Sequence, residues 1–302
     1  MAANRDLHSI TKRDPIGTYD PLLAAVSSKG DQQFYRGGYF LWPNPRKAEA
    51  AKKKLMTIGN STSLWPDSDW SRQLGQILIN QGYDVGIYHG AGKGNTSSQD
   101  LLRVVRDAAA IKPNLIVSLS GICDIGFLLN SKNYPFAHKY TRRFLDYLIK
   151  YDFASEIVYG YPDTASPANI WCRNQSIAKV VAENLNATYI TFLQPVMGYG
   201  EYNMTIEETI NYNRKASTVL QAIGKPYGIC LNEFYNEVRN IISEKPEYYR
   251  HIYDYSDIFA NLSGAYRDHR HQSPAGVAHL AKQISNQIIL LFANEDKLSN
   301  IT

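Results

Sequence analysis

The first half of the chain alternates short apolar runs with helical patterns, and this alternation restricts the fold more than any other feature. Apolar runs bounded by turn residues occur at 55–58, 83–88 and 115–119, and each indicates a buried strand. Residues 68–81 and 98–110, between these runs, carry apolar side chains on one helical face. Short connections between strand, helix and strand favour parallel strands with right-handed crossovers. The sequence therefore predicts an α/β fold with a parallel sheet.

The second half of the chain continues the alternation. The pattern predicts helices at 136–151 and 170–185, and strands at 156–159 and 188–192. A final helix is predicted for residues 274–294, where a long amphipathic stretch begins at a proline. We therefore expect the same layered architecture to extend through most of the chain.

Two segments do not follow the alternation. Residues 195–249 are longer than one crossover needs, and they are predicted as a helical insertion. A capping box formed by Thr205 and Glu208 begins one of its helices, and another is expected at 229–242. Residues 1–45 are polar, show no clear period and are predicted as an N-terminal extension. A chain of 302 residues with 44% hydrophobic content can bury a sizeable core, so we expect one domain across residues 1–302. The extension and the insertion are expected to pack on it near the mouth of the site.

Polar, glycine-containing blocks follow the predicted strands. In an open parallel sheet, ligands bind beyond the carboxyl ends of the strands. The blocks at those ends are GNS at 59–61, GNTS at 94–97 and GICD at 121–124, and a fourth, DHRH at 268–271, precedes the last helix.

These four blocks, in this order, resemble the motifs of the SGNH (GDSL-like) hydrolases, a family of serine esterases and acyltransferases. The family pattern is GDS, a glycine loop, GxND and DxxH, and the resemblance covers about residues 55–292. It implies a three-layer α/β/α sandwich around a five-stranded parallel sheet with flavodoxin-like strand order. The chemistry of this family requires neither a metal nor an organic cofactor.

The resemblance also implies a role for individual residues. Ser61 would be the nucleophile, His271 the general base, and Asp268 the group that orients the imidazole. The oxyanion would be held by the backbone N–H groups of Ser61 and Gly94 and by a side-chain donor at Cys123.

Two positions depart from the family pattern. Asn60 replaces the usual aspartate before the serine, and Cys123 replaces an oxyanion-hole asparagine. A thiol is a weak hydrogen-bond donor, and loss of one oxyanion donor costs about 10²–10³-fold in rate. The protein could therefore be slow, use another donor, or not catalyse. Asp124 is predicted to fix its loop, and His269 to be an exposed neighbour of the site.

The predicted function is hydrolysis or transfer of short acyl groups through an acyl-serine intermediate. The substrate is expected to be a small-molecule or glycan ester, with O-acetyl groups on carbohydrate favoured by the polar, tyrosine-rich insertion. Its tyrosines include Tyr199, Tyr202, Tyr248 and Tyr249, some of which could face a glycan. Two alternatives stay open: a catalytically impaired family member with a glycan-binding or scaffold role, and a lipid esterase or thioesterase.

Charge and hydropathy argue against other classes of partner. The net charge is +4, and the one dense basic run, residues 52–54, reads as the solvated end of an element rather than a nucleic-acid patch. No stretch of about 18 apolar residues indicates a membrane span. The glycines at 90, 92 and 94 lack the spacing of a nucleotide-binding loop. The oligomeric state is left open.

Cysteine usage and the first residues bear on compartment. Three widely spaced cysteines (Cys123, Cys172 and Cys230) suit reduced thiols, and no CxxC or HExxH pair suggests a metal site. The N-terminus lacks the apolar core of a signal peptide, and glycans at Asn60 or Asn95 would fill the predicted site. We therefore expect a cytoplasmic protein, although a mature secreted form would look the same.

Overall fold

A computed structural model of the chain describes residues 18–20, 24–26, 35–64, 68–126, 136, 150 and 163–299. The strands are β1 (Thr18–Asp20), β2 (Ala24–Val26), β3 (Tyr35–Arg36), β4 (Tyr39–Trp42), β5 (Lys53–Gly59), β6 (Val85–His89), β7 (Leu115–Ser120), β8 (Thr188–Leu193) and β9 (Ile252–Asp254). The helices are α1 (Pro45–Ala50), α2 (Trp70–Asn80), α3 (Ser97–Ile111), α4 (Pro167–Asn184), α5 (Ile206–Ile223), α6 (Tyr227–Glu244) and α7 (Pro274–Ser299).

Five parallel strands form the centre of the main sheet. Their spatial order is β6-β5-β7-β8-β9, which in chain order is the 2-1-3-4-5 arrangement of flavodoxin-like sheets. The predicted α/β class and five-stranded parallel sheet are confirmed. The fold agrees with the one that the SGNH resemblance implies.

The complete sheet is wider than predicted. Strand β4 pairs antiparallel with β6, and β3 pairs antiparallel with β4, so the main sheet has seven strands. Both added strands come from the N-terminal extension, for which no element was predicted. Strands β1 and β2 pair with each other as a separate two-stranded sheet. Strands β3 and β4 have only two and four residues, so they offer little periodicity to detect.

The fifth parallel strand also differs from the expectation. Strand β9 was not predicted, and it pairs with β8 in parallel. The predicted strand at 156–159 and helix at 136–151 lie outside the described residues, apart from positions 136 and 150. Within the described residues, β7 pairs directly with β8.

Helices cover both faces of the sheet, which explains the unbroken apolar strands. Helices α2 and α7 pack together on one face, and α3 and α4 pack together on the other. Strand β5 shows the consequence, because Leu55 joins the core cluster that includes α2 and α7, whereas Met56 and Ile58 join the cluster beneath α3 and α4. Successive side chains of a strand point to opposite faces, so a strand that is covered on both sides reads as a continuous apolar run.

The insertion forms two helices beside the sandwich. Helices α5 and α6 pack against each other, and α6 also packs against α4. The predicted capping box is confirmed, since the Thr205 side chain accepts from the Glu208 backbone N–H and the Glu208 carboxylate accepts from the Thr205 N–H. A third core cluster, which includes Leu231, Phe234 and Val238, fills the space between these helices and the sheet. In the part of the chain that the structure describes, no helix is long and apolar enough to cross a bilayer.

Candidate active site

The turn after β5 presents Ser61 at the carboxyl edge of the sheet. Strand β5 ends at Gly59, and a single 3-10 turn, Ser61–Ser63, follows it. Gly59 has a φ of 151°, and a Cβ atom there would lie 2.5 Å from the carbonyl oxygen of Leu119. Only glycine can adopt this φ and has no Cβ atom to collide with Leu119. Gly59 therefore allows the turn that carries Ser61 to lie close to β7.

Three side chains from distant parts of the sequence form a hydrogen-bonded row. The His271 Nε2 atom lies 3.0 Å from Ser61 Oγ. On the other side of the ring, His271 Nδ1 lies 2.7 Å from Asp268 Oδ2. The structure thus brings together the three residues that the sequence singled out for a nucleophile, its base and an orienting acid.

The turn between Asp268 and His271 holds the carboxylate in its ionised form. Asp268 Oδ1 accepts hydrogen bonds from the backbone N–H groups of Arg270 and His271, at 3.0 and 2.9 Å. Burial alone would raise the pKa of Asp268, but the bonds from the His271 ring and these two N–H groups outweigh it and hold the pKa well below its usual range. Asp268 therefore stays charged, as a group that stabilises an imidazolium must.

Asn60 fixes the serine turn rather than facing the site. Its side chain is fully buried, and its Oδ1 accepts from both the backbone N–H and the hydroxyl of Thr62, each at 2.9 Å. Its Nδ2 donates to Gln194 Oε1 at 2.5 Å. Sequence reasoning missed Gln194, whose own amide donates to Thr62 Oγ1 at 3.3 Å and closes the network.

The glycine loop after β6 is joined to the serine turn by backbone hydrogen bonds. The N–H of Gly92 donates to the carbonyl of Gly59 at 2.9 Å, and Gly90 donates to Thr57 at 2.8 Å. Gly94, the predicted oxyanion donor, is half-buried and has a φ of 71°, in the left-handed region that glycine tolerates best. The loop that carries Gly94 therefore lies against the turn that carries Ser61.

The loop after β7 carries one buried residue and one partly exposed residue. Asp124 is fully buried and accepts hydrogen bonds from the Ser97 hydroxyl at 2.5 Å and the Ser97 backbone N–H at 3.1 Å. This is the loop-fixing role predicted for Asp124, since it ties the end of β7 to the start of α3. Cys123 is a half-buried thiol that packs against the third core cluster.

A second buried carboxyl lies beneath these loops. Asp100 accepts a hydrogen bond from Ser118 Oγ at 2.9 Å. Burial raises the pKa of Asp124 to about 8 and that of Asp100 to about 7, and hydrogen bonds from Ser97 and Ser118 oppose these shifts only in part. Sequence reasoning missed this pair of buried carboxyl groups, because Asp100 occupies an ordinary helical position in the first turn of α3.

His269 neighbours the site, as predicted, but the prediction that it is exposed is wrong. Its side chain is 20% exposed, so it is mostly buried, and its Nδ1 lies 3.8 Å from Asp268 Oδ1. Its ring meets the edge of the Tyr227 ring at a centroid distance of 6.5 Å. Burial lowers the pKa of His269 to about 4, with further contributions from the charges of Arg270 and Lys215. Helix α6, which the sequence did not connect to the DHRH block, provides the contact that buries the ring.

The four singled-out tyrosines have different surroundings. Tyr199 is buried and stacked on Tyr235 at 4.5 Å. Tyr202 donates to the Glu208 carboxylate at 2.6 Å and accepts from the backbone N–H of Ala265 at 2.8 Å. These two are structural. Tyr248 is 57% exposed, and Tyr249 is partly buried against the third core cluster.

The assembled site has the composition of a nucleophile with its base. Rows of serine, histidine and aspartate recur in hydrolases on unrelated folds, where they are recognised by geometry rather than sequence position. Among the described residues, no group of three or more histidine, cysteine, aspartate or glutamate side chains is gathered in a way that could hold a metal ion.

Comparison with known proteins adds similarity to solved structures. An acetyl xylan esterase, AlAXEase, is 12% identical with a TM-score of 0.49, over 78% of this chain and 99% of that one. A catalytic mutant of Axe2, an acetylxylan esterase from Geobacillus stearothermophilus, is 14% identical with a TM-score of 0.47, over 79% and 94%. A GDSL-like lipase from Bacteroides thetaiotaomicron VPI-5482 is 14% identical with a TM-score of 0.44, over 78% and 89%.

No family model matches the chain, and no curated protein matches it. Since the structural similarities are this remote, what the chain does has to be inferred from its own site.

Proposed function

We propose that the chain is a serine esterase of the SGNH type that removes or transfers short acyl groups, with O-acetyl groups on carbohydrate as the substrate class. One observation carries the proposal. Ser61 Oγ lies 3.0 Å from His271 Nε2, while the opposite ring nitrogen lies 2.7 Å from an Asp268 carboxylate that burial does not neutralise.

The geometry supports a two-step acyl transfer. His271 Nε2 accepts the Ser61 proton as Oγ attacks the acyl carbonyl, and Asp268 stabilises the imidazolium that forms. Collapse of the tetrahedral intermediate breaks the bond to the leaving alkoxide, which takes the proton from His271 and departs as an alcohol. Water, or a sugar hydroxyl in the transferase case, then attacks the acyl-serine with His271 again acting as base. Collapse of this second intermediate breaks the bond to Ser61 Oγ, which takes the proton back from His271, and releases the carboxylic acid or the acylated sugar. No external oxidant, reductant or metal takes part.

The oxyanion is assigned to backbone donors first. The N–H groups of Ser61 and Gly94 are the proposed pair, and Cys123 is the proposed third, side-chain donor. Because a thiol donates weakly, we expect turnover below that of a site with an amide there. Removal of one oxyanion donor typically costs about 10²–10³-fold.

A polar substrate suits the surroundings of the row better than a lipid. A cavity of about 220 Å³ adjoins Asp268, and polar or charged residues line it: Asn211, Arg214, Lys215, Thr218, Asp268 and His269. A lipid esterase would need an apolar groove for the chain, since each buried methylene gains about 0.8 kcal/mol. The side chains that line this cavity are polar or charged, which supports a carbohydrate ester as the substrate.

The test is release of p-nitrophenol from p-nitrophenyl acetate by the wild type and by Ser61→Ala. Loss of the nucleophile should reduce kcat by at least about 10⁴-fold, because the remaining groups cannot form the acyl-enzyme. Ser217→Ala, which removes an exposed hydroxyl from α5, is the matched control and should keep wild-type activity.

Two results would contradict the proposal. Equal rates for wild type and Ser61→Ala would show that the serine is not a nucleophile and would favour the impaired, glycan-binding alternative. Activity that rises from acetyl to octanoyl esters would favour a lipid esterase or thioesterase, since an acetyl esterase should lose activity on longer chains.

A further inference from the structure

A basic cleft adjoins the aspartate end of the serine–histidine–aspartate row. We use this name for the cavity of about 220 Å³ lined by Asn211, Arg214, Lys215, Thr218, Asp268 and His269. Helix α5 provides four of these residues, and the turn that carries His271 provides the other two. A group bound in the cleft would therefore contact residues that themselves contact His271, the proposed base.

Positive charge exceeds negative charge in and around the cleft. Arg214 is exposed on α5, and the Lys215 ammonium lies 5.8 Å from the centre of the Tyr227 ring. The same Tyr227 ring meets the His269 ring at a centroid distance of 6.5 Å, which locates Lys215 on the His269 side of the cleft. The one acidic residue of the cleft, Asp268, has its oxygens engaged by His271 and by backbone N–H groups.

One buried donor next to the cleft lacks a partner in the described part of the chain. Arg270 follows His269 in the sequence, and its Nε atom is buried without a hydrogen-bond partner among those residues. An unpaired buried donor of this kind costs free energy comparable to a lost hydrogen bond. A ligand with acceptor oxygens would satisfy such donors, and charge-assisted bonds to anionic oxygens are the strongest available to arginine.

From these contacts we propose that the basic cleft binds an anionic group, a carboxylate or a phosphate, carried by the acylated substrate. This inference rests on the proposed function, because it makes the cleft the subsite next to the serine esterase centre. It narrows the substrate class from O-acylated carbohydrate in general to an acidic one, such as an acylated uronic acid or sugar phosphate.

Binding can be tested without turnover in the Ser61→Ala background. Isothermal titration would use trigalacturonic acid against its fully methyl-esterified form, and glucose 6-phosphate against glucose. We expect one anion of these pairs to bind roughly tenfold more tightly than its neutral counterpart, and the pair that shows the difference identifies the source of the charge. Arg214→Gln with Lys215→Gln should remove that difference, because two partly exposed charges together contribute about tenfold in affinity. Glutamine keeps the helix propensity of α5.

The chain offers a matched control in Arg46 and Lys47, an adjacent pair that is exposed on α1, a helix packed against β4 and β6. Replacing both with glutamine removes the same charge and should leave the preference for the anion intact. The proposal is overturned if both anions bind no better than their neutral counterparts, or if both double variants reduce binding equally. The titration measures binding and needs no catalysis. A lack of esterase activity would therefore contradict the proposed function but would not affect the test of anion binding.

Discussion

The loops that follow β5 and β7 leave neighbouring strands, yet they present different chemistry to the site. After β5, buried Asn60 precedes half-buried Ser61, whose hydroxyl meets a histidine. After β7, half-buried Cys123 precedes buried Asp124. In each pair the buried residue holds the loop. Its neighbour Ser61 contacts His271, whereas its neighbour Cys123 packs against the third core cluster.

In both loops the buried residue makes several hydrogen bonds to neighbouring segments. Asn60 binds Thr62 and Gln194, and Asp124 binds the backbone and side chain of Ser97. What differs is the presented group, because a hydroxyl paired with a base is a competent nucleophile whereas a thiol is a weak donor. If Cys123 is the side-chain donor proposed above, the loop that carries it is fully held while the group it offers is chemically weak.

The largest effect on kcat is expected from Asp268, the acid that orients His271. Asp268→Asn removes the charge that stabilises the imidazolium and favours the wrong ring tautomer, so kcat should fall by about 10³–10⁴-fold. Steady-state hydrolysis of p-nitrophenyl acetate measures it. Asp124→Asn is the counterpart on the other loop and should retain most of kcat. Equal losses in the two variants would break the distinction between a group that acts on the base and one that holds a loop.

The second effect concerns stability. Asp124→Ala leaves the Ser97 donors buried without an acceptor, and we expect unfolding in urea to show a loss of about 2–4 kcal/mol. Asp124→Asn keeps an acceptor and should lose less. A loss below about 1 kcal/mol for alanine would show that the loop after β7 is held by other contacts.

The same carboxyl predicts a pH dependence. Because burial raises the pKa of Asp124 to about 8 in the folded state, its contribution to stability is complete below the unfolded pKa of about 3.9 and is lost as pH rises through about 8. As the pH rises from about 3.9 to about 8, the free energy of unfolding of the wild type should therefore fall relative to that of Asp124→Asn. A pH-independent difference between the two proteins would contradict the raised pKa.

A smaller effect on kcat is expected when Cys123, in the loop after β7, is replaced with the asparagine of the family pattern. Cys123→Asn supplies an amide donor, and kcat should rise by roughly tenfold, less than the full value of an oxyanion donor because the surroundings are fitted to a thiol. Cys123→Ala is the control and should give no rise. If the asparagine variant is slower than wild type, the thiol or the space around it is needed.

The smallest effect should follow Asn60→Asp, which brings the serine loop to the family pattern. The carboxylate keeps the acceptor for Thr62, and rotation of the Gln194 amide can supply a donor, so unfolding free energy should change by less than about 1 kcal/mol. Asn60→Ala, which removes the acceptor as well, should cost more. A larger loss for aspartate than for alanine would mean that the buried charge is not accommodated.

Local patterns explain what the sequence could predict of the fold. The five apolar and helical segments between residues 55 and 119 each have their own periodicity and turn signals, and the structure has an element at every one of them. Strand β4 escaped prediction because it has only four residues, and it is a strand because β6 offers it a pairing edge. Strand β9 has only three residues, and it is a strand because β8 offers it a pairing edge.

The candidate site divides in the same way. Asp268 and His271 are three positions apart, so their joint orientation is a local property of one turn. Gln194 contacts Asn60 across 134 positions, and nothing around residue 194 marks it as a partner of the serine turn. Arg103, fully buried with its guanidinium 4.8 Å from the Tyr39 ring, reads in sequence as a solvent-facing helix residue.

The separation of Ser61 from His271 by 210 positions has a consequence for how the protein matures. Closing so long a span is entropically unfavourable until the intervening elements are in place. The row therefore belongs to the late events of folding, after the strands of the sheet have paired. During refolding, acyl-transfer activity should return more slowly than secondary structure, and a chain interrupted before α7 docks would hold its serine without a base.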